Sequence, residues 1–328
     1  MRNLKSIMVG LMISALSTVA FADGHWSTIK IGTEGAYEPW NFTDSDGNLV
    51  GAELDLARDL CARMNAECEF VQQDWDGIIP ALVNGKYDVI MAGMSVTEER
   101  KKTISFSKAY MTEPARFFAL NSSPLSTFSS AKNLNLDDDG DSTSGTISAL
   151  NNAMKGMNVG VTVATIHEDF ANKYLDSNLK VYPTQDEMNL DLAAGRIDAM
   201  LCDVGTAEAF METAGGSDVV TFGPNVFGGL LGEGVGAGIR QGDADLKAMF
   251  DKAIADAAAV FGLASIVLAP LPCRPSKFRL LVLTANFPLP TVSPFIPRHI
   301  EQPDSLHSAP ADSNILSNPR FSASFLTA

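Results

Sequence analysis

From Thr28 to about Ala258 the apolar positions follow two periods that take turns along the chain. The segment TIKIGT at Thr28–Thr33 alternates as a strand does, while Ala52–Asn65 puts Leu54, Ala57, Cys61 and Met64 on one helical stripe. Trp75–Asn84 predicts a second helix, closed by Gly85. Tyr87–Ala92 and the segment MNVGVTV at Met157 are short, nearly continuous apolar runs, the mark of strands buried on both faces of a parallel sheet. Thr184 with Glu187 three residues on is a capping-box signature, and it opens a helix that stops at Gly195. A final stripe of Leu246, Met249, Phe250, Ala253, Ile254 and Ala257 follows Asp243. Strands alternating with helices in this way predict an α/β protein built on mostly parallel sheets.

One pattern occurs twice. Gly85-Lys86-Tyr87-Asp88-Val89-Ile90-Met91 and Gly195-Arg196-Ile197-Asp198-Ala199-Met200-Leu201 both run from a helix through glycine, a basic residue, one further residue and aspartate into an apolar strand. Two such joints can match by coincidence. If the likeness is one of structure, the chain holds two similar lobes. Each strand would then deliver its last residues, Ala92-Gly93-Met94-Ser95 and Cys202-Asp203, to a crevice of the kind where open α/β sheets bind ligands.

Charge and composition divide the chain at residue 260. Up to that point 19 lysines and arginines face 36 acids, a net of −17, whereas the last 68 residues carry +2. That tail also holds ten of the sixteen prolines but one of the 26 glycines. With 46% hydrophobic residues the body is globular. Its acidity excludes a nucleic-acid binder, which needs a basic surface, and suits cationic or zwitterionic small ligands.

The N-terminus sets the compartment. Arg2 and Lys5 precede the apolar run Ile7–Val19, which ends in Ala20-Phe21-Ala22, so a secretory signal cleaved after Ala22 is expected. A buried helix or a membrane anchor is the alternative, but the run is short for a bilayer core of about 30 Å. Outside the cytoplasm, Cys61 and Cys68, placed where a helix runs out into a strand, are expected to form a disulfide rather than stay two buried thiols. Cys202 and Cys273 have no evident partner.

Between the repeated joints, Ser122–Gly145 is rich in Ser, Thr, Asn and Asp and contains Asp137-Asp138-Asp139-Gly140-Asp141. No glutamate follows where a calcium loop would need one, so a solvated surface insertion is expected and no metal site.

The candidate chemistry gathers at strand ends. Ser95-Val96-Thr97-Glu98-Glu99-Arg100 reads as a strand end, a helix cap and an arginine one turn in, an arrangement that holds a carboxylate through backbone N–H groups and a guanidinium. Thr165, after the strand at Met157, offers a second such junction. Asp203 ends a buried strand, where a carboxylate needs a cation, such as an α-ammonium, or else caps the helix from Val204. Glu34, Tyr37 and Trp40, with Trp75, combine an acid with aromatic faces that suit a side-chain cation.

On the segments TEGAYEPWNF, CARMNAEC, QDWDGIIPALVNGKYDVIMAGMSVTEERKK, EMNLDLAAGRIDAMLCD and GEGVGAGIR, residues 28 to 258 resemble the periplasmic solute-binding proteins of polar amino-acid ABC importers. Within them the chain is most similar to the arginine/lysine/ornithine and octopine/nopaline branch. The resemblance implies the two-lobed periplasmic-binding-protein fold, type II, each lobe a mostly parallel sheet flanked by helices, with two crossover hinge strands near Met111–Arg116 and Asn225–Gly229. It divides the chain into a signal peptide (1–22), a first lobe (23–113 and 228–260), a second lobe (114–227, with the acidic insertion at about 122–150) and an atypical tail (261–328).

Residue by residue, the resemblance implies that Arg100 and the backbone around Ser95 and Thr165 hold an α-carboxylate. Asp203, Ser95 and the Gly93 carbonyl would hold the α-ammonium, Tyr37 and Trp75 would flank the side chain, and Glu34 would read its distal cation. The family's basic-amino-acid binders carry Asp at the position of Glu34 and Ser-Ser at Ala92-Gly93, which changes the depth of the pocket here. His167 stands where they carry neither histidine nor a cation. It would read a second carboxylate of an opine, narrow the pocket, or lie idle on a helix surface.

The function expected is that of an extracytoplasmic receptor, a monomer with no cofactor, which closes on a cationic amino acid or opine and docks on an ABC permease in the inner membrane. The rivals are an enzyme on the same fold, such as a cyclohexadienyl dehydratase, and a sensor ectodomain. The first would need acids free for catalysis, and the second a membrane span that Phe261–Leu271 is too short and proline-broken to supply. Beyond 260 no period is sustained, so a frame-shifted, disordered tail is expected, to be checked by translating the adjacent frame.

Overall fold

The computed structural model describes residues 26–260. The signal sequence and its cleavage point, and the tail 261–328 with Cys273, lie outside the described residues.

In chain order the first elements are β1 (Thr28–Thr33), the short β2 (Ala36–Tyr37), β3 (Asn41–Thr43) and β4 (Leu49–Val50), α1 (Ala52–Arg63), β5 (Glu67–Gln72), α2 (Ile78–Val83), β6 (Val89–Ile90), α3 (Glu98–Lys101) and β7 (Ile104–Phe106). Next come β8 (Ala115–Leu120), β9 (Asn133–Asn135), α4 (Asp141–Ala153), β10 (Asn158–Thr162), α5 (Ile166–Tyr174), β11 (Asn178–Tyr182), α6 (Gln185–Ala193), β12 (Ala199–Asp203), α7 (Val204–Met211) and β13 (Val219–Phe227). The described chain ends with β14 (Gly238–Arg240) and α8 (Ala244–Val260).

Two main sheets form two lobes. The first runs β5-β1-β6-β14-β7, with β5, β1 and β6 parallel and β14 antiparallel to both neighbours. The second runs β11-β10-β12-β8-β13-β9, with β11, β10 and β12 parallel and β8 antiparallel to β12 and β13. Both sheets are therefore mixed. Their parallel parts come from the predicted strand–helix alternation, and β8 and β14, the strands that follow each crossing, run against them.

Ile29 and Ile31 of β1 are fully buried, with the α1 residues Leu56, Ala57, Leu60 and Cys61 and the α8 residues Leu246, Phe250, Ala253, Ile254 and Ala257 in the same core. The stripes read from the sequence thus pack together against one face of the sheet. Cys61 at the end of α1 is disulfide-bonded to Cys68 in β5, their Cα atoms 6.0 Å apart. Cys202 is a buried free thiol.

The repeated joint is one of structure. In both copies the helix ends at a left-handed glycine, Gly85 at φ 77° and Gly195 at φ 66°, a conformation that suits glycine. In both, the basic residue donates back into the last helical turn, Lys86 N–H to Ala81 O at 3.0 Å and Arg196 N–H to Asp191 O at 2.9 Å. In both, the aspartate accepts a backbone N–H of the neighbouring parallel strand, Asp88 from Lys30 at 3.0 Å and Asp198 from Asn158 at 2.8 Å. The residue before it covers a glycine of that strand: a Cβ on Gly32 would stand 2.5 Å from Tyr87, and one on Gly160 2.6 Å from Ile197.

Several boundaries differ from expectation. The helix at Ala52 ends at Arg63 because Asn65 turns left-handed at φ 55°. Trp75–Gly77 is a 3₁₀ turn ahead of α2, whose first turn accommodates Pro80, a residue with no N–H to leave unpaired. In Tyr87–Ala92 only Val89–Ile90 pair as strand. The insertion at 122–150 is anchored rather than merely solvated: β9 pairs with β13, and Leu125, Leu134 and Leu150 are buried. The second crossing comes later than expected, because Asn225–Phe227 still pair with β9 and the chain reaches the first lobe where Val235 bridges Ser95 and Met111.

Candidate functional site

The strand ends of the two lobes enclose a cavity with about 40 Å³ of room for water-sized molecules. From the first lobe come Tyr37, Trp75, Ala92, Gly93, Ser95 and Arg100; from the second, Thr162, Thr165, Ile166, His167, Gln185 and Asp203. All the predicted ligand contacts except Glu34 therefore line one cavity.

One pole is cationic. Thr97 caps α3 by accepting the Arg100 N–H at 3.2 Å, which fixes the base of the arginine. Its Nη1 donates to Ser95 O at 3.0 Å, its Nη2 to Ala164 O at 3.3 Å, and its guanidinium lies 5.2 Å from the Trp75 ring. Burial lowers the Arg100 pKa to about 10, against the pull of Asp169 and Asp203, so it stays charged at neutral pH. Trp75 Nε1 also donates to Ala164 O, at 3.2 Å, so two first-lobe side chains meet one second-lobe carbonyl. Thr165 caps α5 by accepting the Glu168 N–H at 3.2 Å and donates its own hydroxyl to Thr162 O at 2.6 Å. The start of α5, with its partial positive charge, thereby faces the same cavity.

The opposite pole is acidic. Asp203 occupies the N-cap position of α7 but makes no side-chain cap bond, which settles the alternative left open by the sequence. Its carboxylate instead accepts from the Tyr37 hydroxyl across the cleft, and His167 Nε2 lies 3.2 Å from its Oδ1, at ion-pair distance. His167 is 5% exposed, so it is a cavity residue and not a helix-surface one.

Glu34 is placed differently. It is 8% exposed and does not line the cavity. Burial, then Asp186, then Asp74 push its pKa up to about 7. Glu38 is raised by the same two influences, burial and Asp186. An acidic corner thus forms where the turn after β1 meets the start of α6. Trp40, 1% exposed, belongs to the core.

Sequence reasoning missed one lining residue, Gln185, and one acidic neighbour of Asp203, Glu113. Gln185 opens α6 directly after the Thr184 cap and turns its Nε2 to Asn189 Oδ1 at 2.8 Å; the strand-to-helix logic applied to Thr165 would have found it. Glu113, in the first crossing, accepts the Gly205 N–H, and its Oε2 is buried without a hydrogen-bond partner. Burial, then Asp203, hold its pKa well above the carboxylate range. Among the described residues no cluster of three potential metal ligands occurs, and no helix is long and apolar enough to cross a membrane.

A model of the bacterial extracellular solute-binding proteins, family 3, matches residues 29–265. The octopine-binding periplasmic protein of Rhizobium meliloti is 40% identical over 251 residues, which covers 76% of this chain and 84% of that protein. The lysine/arginine/ornithine-binding periplasmic protein of Escherichia coli is 33% identical over 256 residues, covering 76% and 88%. Among solved structures, an ancestral arginine-binding protein bound to arginine matches with a TM-score of 0.58 at 30% identity, over 70% of this chain and 92% of that one. A periplasmic His/Glu/Gln/Arg/opine family-binding protein of Silicibacter pomeroyi in complex with lysine matches with a TM-score of 0.57 at 30% identity, over 71% and 92%. A two-lobed fold whose strand ends meet around one charged cavity agrees with these matches, and the chain belongs to the bacterial extracellular solute-binding proteins, family 3, which bind solutes rather than transform them.

Proposed function

We propose that this protein is a periplasmic receptor that closes its two lobes on a cationic amino acid or an opine and hands it to an ABC importer. The observation that carries the proposal is a single cavity with Arg100 at one pole and Asp203 at the other, each contributed by a different lobe. A zwitterion laid between them satisfies both charges at once. Neither lobe holds both halves of the site, so binding favours closure by hinge motion at the two crossings.

In this reading Arg100 and the N–H groups near Ser95 and Thr165 take the α-carboxylate. Asp203, Ser95 and the Gly93 carbonyl take the α-ammonium, and Tyr37 and Trp75 flank the side chain. The acidic corner at Glu34 attracts a distal guanidinium or ammonium. His167 favours an opine: the extra carboxylate arm of an opine starts at the amino nitrogen, and His167 stands 3.2 Å from the carboxylate proposed to hold that nitrogen. Secretion with cleavage after Ala22, a monomeric state and docking of the closed form on an inner-membrane permease complete the proposal.

Calorimetric titration of the mature protein with arginine, ornithine, lysine, octopine, nopaline and glutamate tests it. Saturable binding of a cationic ligand is expected, and His167→Ala should weaken octopine more than arginine. No binding of any cationic ligand, or turnover of prephenate or arogenate, contradicts the reading.

A further inference from the structure

Glu53, in the first turn of α1, is fully buried and lies outside the cavity lining. Its two oxygens each accept the Gly93 N–H at 2.9 Å. Asn41 Nδ2 donates to Oε2 at 3.0 Å, and the Tyr110 hydroxyl donates to Oε1. Asn41 in turn accepts the Gly35 N–H at 2.9 Å. One carboxylate therefore joins three stretches: the turn between Glu34 and Tyr37, the loop after β6, and the residue before Met111, where the first crossing begins.

Every donor in this network is neutral: a peptide N–H, an amide and a hydroxyl. A buried carboxylate without a cation is costly, and an apolar side chain would pack α1 at less expense. An apolar side chain could not, however, hold a glycine N–H. Gly93 has φ 64°, and a Cβ there would stand 2.9 Å from the Tyr37 ring, so with Tyr37 in this place the position favours glycine. Glycine carries the widest conformational freedom of any residue, which is a poor property for a residue that presents its backbone to a ligand. Clamping its N–H with both carboxylate oxygens removes that freedom.

We infer that Glu53 is a positioning residue of the binding site, which fixes Gly93 directly, the Gly35 turn through Asn41, and the entry to the first crossing through Tyr110. The inference rests on the cavity being the ligand site proposed above.

The test uses the mature full-length protein with arginine and octopine as probes. Glu53→Gln keeps the side-chain volume but turns one acceptor into a donor facing another donor. A buried donor left without its acceptor costs enough for the Kd of the bound probe to rise about tenfold, measured well below the melting temperature of both proteins. The Gly93 and Gly35 amide signals in a 15N–1H spectrum of the unliganded protein should move as well. Tyr110→Phe removes one donor without removing a ring, and it should give a smaller rise with the same two signals moving. A purely structural role would lower the melting temperature and leave Kd unchanged. Wild-type Kd in a folded Glu53→Gln protein overturns the inference; if that variant does not fold, wild-type Kd with unmoved amides in Tyr110→Phe does the same. Should the wild type bind neither probe, the proposed function is in question, while the amide signals still decide the clamp: moved signals support it and unmoved signals overturn it.

Discussion

In the first lobe α2 ends at Gly85 and β6 runs into Ala92-Gly93-Met94-Ser95; in the second, α6 ends at Gly195 and β12 runs straight into Asp203 and α7. Up to the strand ends the two joints share their glycine, their back-donating basic residue and their aspartate latch. Past that point they diverge. The first lobe delivers backbone groups and, a few residues on, a cation; the second delivers a carboxylate at a helix N-terminus. One scaffold thus supplies the two halves of the proposed zwitterion site, and the groups that differ between the halves are the residues that follow the strand. A glutamate also holds a glycine N–H beside each strand end: the buried Glu53 on Gly93 within the first lobe, and the half-buried Glu113 of the first crossing on Gly205 in the first turn of α7. The two differ in surroundings: Glu53 has neutral donors on both oxygens, whereas Glu113 has one oxygen without a partner and lies near Asp203.

Removing the cationic pole should have the largest effect. Arg100→Ala takes one partner from a buried charge pair, so calorimetry should show Kd weakened by about 3 kcal/mol, more than a hundredfold, with the second lobe intact. Unchanged binding would show that the lobes do not divide the site between them.

The acidic corner predicts a pH effect of nearly the same size. The folded pKa of Glu34 is raised from 4.5 to about 7. The stabilisation that this group gives is therefore fully present below 4.5 and is lost as pH rises through about 7. For the unliganded protein the loss amounts to about 3 kcal/mol, read from denaturant melts across that range. A ligand cation favours the ionised form, so affinity for a cationic ligand should rise with pH up to about 7, with protons released on binding below it. Glu34→Gln should flatten both curves.

The joints themselves should give the smallest effect. Asp198→Ala should destabilise by about 1 kcal/mol through the lost Asn158 N–H bond. Asp88→Ala should cost more, since Asp88 also pairs with Arg240 at 3.0 Å. Urea melts of the two variants check the order; the reverse order would break the proposed equivalence of the joints.

The parts of this architecture that the sequence made legible are those set by neighbours along the chain. The repeated joint, the Thr97, Thr165 and Thr184 caps, and the strand-end position of Asp203 all follow from spacing within a few residues. The disulfide follows from a helix-to-strand reversal only seven residues long. What stayed hidden depends on long-range packing. Glu53 meets Gly93 across 40 residues and Glu113 meets Gly205 across 92, and no local pattern marks either pair. The resemblance implies that Glu34 reads a distal cation, but the fold sets it outside the cavity lining, near Asp186 and Asp74. The late second crossing and the short β6 depend likewise on cross-strand pairing, which apolar runs do not specify.

The most direct test of the two-pole account is a crystal structure of the mature protein with octopine. The account predicts the α-carboxylate on Arg100, the amino nitrogen on Asp203 and the guanidinium toward Glu34. A ligand bound outside the cavity, or one inside it with its amino nitrogen turned away from Asp203, would contradict it.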